Sequence, residues 1–556
     1  MAKIARLIGG PGTGKTTELL RIMGKVIDTG VDPYDIGFIS FTRAARAEAA
    51  ERVQKEFNVN ASSLQRNGWF RTVHSVCHHQ LGRSKTGGLL TGTKDDNEWL
   101  VKSLGMPCKM ASASGDKDNL TADLDTGTED DRASRALQIW SVARNRLCDP
   151  AEVWQEEKLQ GADVPEQRVC IDVIKKYEQA KYRDGRCDFT DLLGMFAGWQ
   201  WRPEGEPAWR EPAYELPECR AWFCDEHQDA SRLVHSAVMR LLDSPACLYA
   251  YFSGDPFQAL YRFAGGDHHC MLEGLSDVLD RSRTMPQSWR CPRKVMQLAE
   301  RVLSGCSDYF DREIRPMESD GEVHRVRSIE DVIEAGRMDQ EWIMQARTNF
   351  LASKIGKALT KRGVPWVSES GGASYIKPTS IKMCLAFQSL ASGRSVERAV
   401  WKSIIKKIPS GSGDTACLGR GWKTRVIAGD AGIPEQVSVD NIGQYGATPR
   451  LEGMIRSGEW RSLVEGSQLF LEASRRFGEE IAVSPKIRVG TIHSFKGSGA
   501  PNVMMLTGLT TRVGQAMATE EGRDAERRVA YVGVSRCSDC LFLLSQPGDR
   551  FHFELD

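Results

Sequence analysis

Charge of one sign is what this chain of 556 residues lacks most plainly: Lys+Arg and Asp+Glu each number 74, so the formal net charge is zero. That balance excludes a generally basic nucleic-acid coat, so any polyanion must be gripped by a local basic groove. Long apolar runs are missing too. None approaches the roughly 20 residues of a membrane-spanning helix, and no secretory leader is expected ahead of Gly9. The 15 cysteines keep no regular spacing, which argues against the disulfide framework of a small secreted domain. Cys537-Ser538-Asp539-Cys540 is a lone C-x-x-C. Cys77-His78-His79 and His268-His269-Cys270 have no second pair at finger-like spacing, so no structural metal centre is expected. What remains, 41% hydrophobic and 27% charged residues, is the composition of an ordinary globular chain. Its length predicts three or four domains.

Glycine is present where it carries chemistry. Gly9-Gly10-Pro11-Gly12-Thr13-Gly14-Lys15-Thr16 fits the phosphate-gripping pattern G-x-x-x-x-G-K-[ST]. Ile4-Ala5-Arg6-Leu7-Ile8 reads as a short buried strand, and a helix is expected to start near Thr16, its positive end adding to the cradle that Thr17 helps to line. In that setting Lys15 reaches the β- and γ-phosphates of ATP and Thr16 holds Mg2+. Asp225-Glu226-His227-Gln228-Asp229 follows the apolar run Trp222-Phe223-Cys224. An aspartate at the tip of a buried strand suits the second magnesium contact, Asp225, and the adjacent Glu226 can polarise a water. The alternative is a solvated acidic turn. A nucleotide-hydrolysing chain of this kind is expected in the reducing cytoplasm, with its thiols free.

Further motifs follow in a fixed order. Ile36–Ser40 reads as a strand, and Phe41-Thr42-Arg43 opens a helix running to about Phe57. Then come Arg71-Thr72-Val73-His74-Ser75 and Cys187-Asp188-Phe189-Thr190-Asp191. Beyond the acidic quintet stand the strand Leu248–Phe252, the run Gly254-Asp255-Pro256-Phe257-Gln258-Ala259-Leu260-Tyr261-Arg262-Phe263, and Gln287-Ser288-Trp289-Arg290. Thr491-Ile492-His493-Ser494-Phe495-Lys496-Gly497 and the stretch Glu526–Arg536 close the series. In this order, from Gly9 to about Leu544, the series resembles the superfamily-1 DNA helicases of the UvrD/Rep/PcrA type.

The resemblance implies an α/β fold with two RecA-like P-loop cores, each interrupted by an inserted, mainly helical domain. The expected first core is 1–75 with 185–280, and the first insertion is 76–184. The second core is 281–365 with 486–556, and the second insertion is 366–485. Lys15 and Asp225 lie 210 residues apart (225 − 15), more than one core needs, which is the room for the first insertion. Its middle, 111–131, is rich in Ser, Gly and Asp and reads as a mobile loop.

By the same resemblance Gln258 senses the γ-phosphate, Arg290 and Arg536 reach the nucleotide from the second core, and Trp289 can stack on the purine. Phe41, Thr42, Thr72, His74, Tyr261, Phe263, Thr491 and His493 fall in motifs that line the single-strand channel. Aromatic faces there stack on bases irrespective of sequence. Tyr261 and Phe263 have core packing as their alternative. The sequence departs from the family in three places. Only eight residues precede Gly9, leaving no room for the adenine-reading glutamine motif. Ser498-Gly499-Ala500 stands where Leu-Glu-Phe is usual, removing a ribose-contacting glutamate. His227 replaces a tyrosine, and Ala230-Ser231 a Thr-Asn pair. Loose nucleotide selection is the expectation.

The function so implied is an ATP-dependent DNA helicase moving 3′ to 5′ on single-stranded DNA and acting at single/double-strand junctions, with no membrane partner and no loading protein identified. A translocase that displaces proteins without unwinding, a P-loop nucleotide kinase or switch, and a non-enzymatic DNA-binding protein are the rivals.

Overall fold

The computed structural model describes residues 2–40, 43–57, 59–82, 86–110, 132–212, 214–411, 415–429, 432–546 and 548–555. Phe41, Thr42 and the stretch 111–131 lie outside the described residues.

The strand Lys3–Gly9 buries Ile4, Leu7 and Ile8 and runs parallel to Tyr249–Gly254 on one side and to Arg281–Met285 on the other. It belongs to a six-stranded sheet in the order Trp69–Arg71, Ile36–Ile39, Ala221–Cys224, Tyr249–Gly254, Lys3–Gly9, Arg281–Met285. Parallel neighbours need crossover connections, which cover both faces and make the inner strands apolar throughout. Ala221–Cys224 shows the consequence. Ala221 and Phe223 pack with Leu19, Met23, Phe38 and Phe70 on one face. Trp222 and Cys224 pack with Phe196, Leu233 and Phe252 on the other. The edge strand Arg281–Met285 is mostly exposed and polar, so it carries no apolar periodicity to announce it. It extends the first sheet past residue 280, the boundary expected from the sequence.

A second six-stranded sheet takes the order Val367–Ser368, Ile487–Thr491, Trp342–Ala346, Ala500–Leu506, Cys537–Leu544, Glu322–Val326. Trp342–Ala346 is buried along its whole length. Val367–Ser368 carries this sheet two residues or more beyond 365. The fold is thus α/β with two RecA-like parallel sheets.

Between the sheet segments of the first half lie the helices Lys94–Leu104, Arg132–Arg146, Pro150–Leu159 and Gln167–Arg183. They close on a core of Leu100, Ala136, Ile139, Trp140, Val173 and Ile174. Thr93 and Asp96 form a capping box at the start of Lys94–Leu104. The helix Val73–Leu81 crosses the expected boundary at 76 and buries Val76, Cys77 and Leu81 with the first sheet's core.

By packing, the chain divides into two units. One comprises Met1–Ser328, Gln345–Leu351 and Thr491–Asp556, and the other Ile329–Met344 and Ala352–Gly490. The second unit contains the helices Pro378–Ala391, Arg398–Lys407, Pro449–Ser457 and Ser467–Phe477, with Phe387, Trp401, Leu451 and Phe470 fully buried. Among the described residues no helix is long and apolar enough to cross a membrane. Apart from Phe41 and Thr42, every candidate site residue named above lies in the first unit.

Candidate functional site

The loop after Lys3–Gly9 turns on Gly12 and Gly14, whose φ angles of 70° and 81° lie in the left-handed region that favours glycine. The helix Lys15–Asp28 then begins, so its first N–H groups face the loop. Lys15 is buried, and its amine donates to the carbonyls of Gly9 at 3.1 Å and Gly10 at 3.3 Å. Thr13 Oγ1 donates to Gly10 O at 3.0 Å, and Thr17 Oγ1 accepts from Arg52 at 3.2 Å. Pro11 and Gly12 are tied from outside: Ser288 Oγ donates to Pro11 O at 2.7 Å and Trp289 N to Gly12 O at 2.8 Å.

Two parallel strands bring the acids to this loop. Thr16 Oγ1 donates to Asp225 Oδ2 at 2.6 Å, and Ser253, near the end of Tyr249–Gly254, donates to Oδ1. Burial, and then Glu226 beside it, raises the Asp225 carboxyl above its ordinary range. Thr16 and Asp225 are hard oxygen donors in contact beside a lysine-bearing phosphate loop, a set that fits Mg2+. Glu226 adopts φ 57°, an unusual region for a residue with a β-carbon and one found at functional positions. Gln228 Nε2 donates to its Oε2 at 2.6 Å. Burial alone would raise the Glu226 carboxyl, but Lys15, Lys496, Gln228 and Arg536 hold it below the usual carboxylate range. It is therefore an ionised acceptor, as a water-polarising base must be.

Gln258 and Arg536 meet. Arg536 Nη2 lies 3.3 Å from Gln258 Oε1, and the guanidinium is buried, with its pKa lowered to about 10 by burial and then by Arg290. Arg290 packs over the phosphate loop, where a β-carbon on Gly12 would lie 2.4 Å from its own. A side chain at Gly499 would meet Arg290 Nε at 3.1 Å and the Arg536 carbonyl at 3.3 Å. Gly499 therefore leaves Arg290 its place. Trp289 stands 74% exposed beside the loop.

The strand-binding candidates divide. Tyr261 and Phe263 are partly exposed, with ring centroids 6.1 Å apart. Both rings lean on the His493 imidazole, at 6.4 Å and 5.8 Å. Phe263 and Thr491 line a cavity of about 190 Å³, together with Arg146, Arg262, Arg347 and Arg512. Thr491 and His493 are themselves buried, and burial, then Arg347 and Lys496, pushes the imidazole well below its ordinary pKa. Neutral His493 thus supports the rings from beneath. Thr72 caps Val73–Leu81, and His74 packs edge-on against Phe189 at 5.8 Å.

Sequence reasoning assigned no role to Lys496, although its motif was visible. Its amine donates to both Asp229 carboxylate oxygens at 2.6 Å and to Gln258 O at 2.6 Å, and lies 5.3 Å from the Tyr261 ring centre. Ser253 was missed for want of any local signal, since its partner Asp225 lies 28 residues away, and Ser288, although inside a visible motif, because its bond to Pro11 O spans 277 residues.

Residues 2–278 match the family described as the UvrD/REP helicase N-terminal domain. An "ATP-dependent DNA helicase PcrA" of Staphylococcus aureus (strain NCTC 8325 / PS 47) is 23% identical over 402 residues, 68% of this chain and 50% of the relative. The match therefore spans half the length of that relative. The protein of the same name from Bacillus subtilis (strain 168) is 22% identical over 631 residues, 97% of this chain and 80% of the relative.

Proposed function

This chain belongs to the UvrD/REP helicase family, and we propose that it is an ATP-dependent DNA helicase that moves 3′ to 5′ along one strand and separates duplex ahead of it. The observation that carries this reading is Lys496. One amine holds Asp229 of the acidic quintet, the backbone of Gln258 and the face of Tyr261, so nucleotide-side and strand-side groups share one cation.

In this reading Gly9 to Thr17 cradle the phosphates of ATP, Lys15 exchanges its carbonyl partners for phosphate oxygens, and Trp289 stacks on the base. Thr16 and Asp225 would hold Mg2+, which when bound neutralises charge on the phosphates. Glu226 orients and deprotonates the attacking water, Gln258 senses the terminal phosphate, and Arg290 and Arg536 meet the charge that develops there. An arginine in that role can be worth roughly 10³–10⁵ in rate. Tyr261 and Phe263 stack on bases, supported by His493, while the hydroxyls of Thr72 and Thr491 and the imidazole of His74 contact the phosphodiester; Phe41 and Thr42 join this set by motif alone. The substrate is single-stranded DNA and its junctions with duplex. The site of action is the cytoplasm, in keeping with fifteen free cysteines.

Tailed duplexes test this directly. With ATP and magnesium, a 3′-tailed duplex should be opened and a 5′-tailed one left intact. DNA-stimulated hydrolysis without strand separation would shift the reading to a protein-displacing translocase, and hydrolysis indifferent to DNA would end it.

A further inference from the structure

Outside the family motifs lies a buried arginine whose contacts lead to both halves of the hydrolytic machinery. Arg312 has no exposed side-chain surface, and neither does its partner Asp255. One amino group of Arg312 donates to Asp255 Oδ1 and, at 3.1 Å, to the Tyr531 hydroxyl, while the other donates to Glu300 at 2.7 Å. The guanidinium lies 4.6 Å from the ring centre of Phe257 and 5.4 Å from that of Tyr531. The Tyr531 hydroxyl in turn donates to Asp255 Oδ2 at 2.9 Å, closing a ring of three groups.

Asp255 is the hub of that ring, with two arms. Its backbone N–H donates to Gln228 Oε1 at 3.1 Å, which fixes the amide so that Nε2 donates to Glu226. Its carboxylate receives Gln258 Nε2 at 2.8 Å, which turns Gln258 Oε1 towards Arg536. The orientations of both amides, and with them the candidate base and the candidate phosphate sensor, depend on where Asp255 sits. A buried carboxylate is held in one place by a charged donor better than by neutral ones, and here one nitrogen of Arg312 holds it while the other is fixed on Glu300. Burial alone would raise the Asp255 carboxyl, but Arg312, Lys15, Gln258 and Tyr531 keep it in the charged form.

We propose that Arg312, with the Tyr531 hydroxyl, is a positioning residue for ATP hydrolysis, acting through Asp255 to align Glu226 and Gln258 together. This rests on the helicase reading above. Arg312 comes from the segment between the helix Arg293–Leu303 and the strand Glu322–Val326, whereas Asp255 follows a strand of the first sheet. The alignment therefore exists only while those two parts of the chain are docked, and turnover is tied to that docking.

Steady-state hydrolysis with saturating single-stranded DNA tests it, using Arg312→Lys, Tyr531→Phe, Gln258→Ala and the double variants with Gln258→Ala. Arg312→Lys should lower kcat about ten- to a hundredfold while KM for ATP and affinity for DNA stay within about threefold, since misplacement costs rate before binding. In the Gln258→Ala background the same change should cost much less, because one of its two targets is gone. Tyr531→Phe keeps every charge and should show a smaller loss of the same kind, so it answers the question if Arg312→Lys does not fold. Full additivity of Gln258→Ala with both other changes, or a loss confined to KM, would overturn the proposal. A wild-type protein that does not hydrolyse ATP would instead overturn the helicase reading, so the two failures are distinct.

Discussion

Lys15 donates to the carbonyls of Gly9 and Gly10, so removing it takes a buried cation out of the cradle. Lys15→Ala should weaken nucleotide binding, while Glu226→Gln should preserve binding and lower turnover by about 10²–10⁴-fold, the contribution of a positioned base. Nucleotide titration beside steady-state hydrolysis separates the two, and near-normal turnover by Glu226→Gln would remove it from the role. Phe263 is partly exposed and lines the cavity, so Phe263→Ala should reduce single-strand affinity with little change in Tm. A fall of several degrees with unchanged affinity would make it a packing residue. Asp308 illustrates pH dependence. Burial alone would raise its carboxyl, but His268 and Arg528 hold it at about 2. A folded pKa below the unfolded value of about 3.9 gives stability that is full above about pH 5 and is lost as pH falls through about 2. Asp308→Asn should therefore lower the denaturation midpoint at neutral pH, with the deficit shrinking between about pH 4 and 2. A deficit that stays constant over that interval would sink this account.

The strands that hold the acids depend on close approach between elements. Gly37, on Ile36–Ile39, lies under the Trp222 ring of the neighbouring strand, where a β-carbon would come within 2.1 Å of it. Trp222 is fully buried and cannot swing away, so Gly37→Val should destabilise the first sheet by several degrees in Tm, more than typical overpacking at about 1–3 kcal/mol. Calorimetry showing an unchanged Tm would mean that the sheet can shift there. At this scale the sequence was most legible where chemistry and pattern coincide. The strand before the phosphate loop, the helix after it and the strand carrying Asp225 all stand near where pattern placed them. The strand Arg281–Met285 was invisible because it is polar, and the roles of Lys496 and Ser253 because they depend on partners 267 and 28 residues away.

For the molecule as a whole, zero net charge means that any grip on DNA is local. The arginines at positions 146, 262, 347 and 512 around the 190 Å³ cavity are the charges available there, and carboxylates already engage each of them. Phosphates must displace those partners, so single-strand affinity should fall steeply with salt, with a log–log slope of roughly −0.7 per phosphate contacted. A binding titration from low to moderate ionic strength measures it, and a flat response would mean that stacking alone holds the strand. The course of the chain between the two sheets has one more effect. Arg290 stands only five residues after Met285, the last residue of a strand paired directly to the one that carries the phosphate loop (290 − 285). It is on a short leash anchored beside the phosphate loop, whereas Arg536 lies between the helix Glu520–Val534 and the second-sheet strand Cys537–Leu544, with the Arg536 carbonyl accepting from Ala500 N at 3.1 Å. The two arginines are thus tethered differently, one to the edge strand of the first sheet and the other beside a strand of the second. Should the two sheets part, these tethers predict that Arg536 leaves the phosphate loop while Arg290 stays beside it.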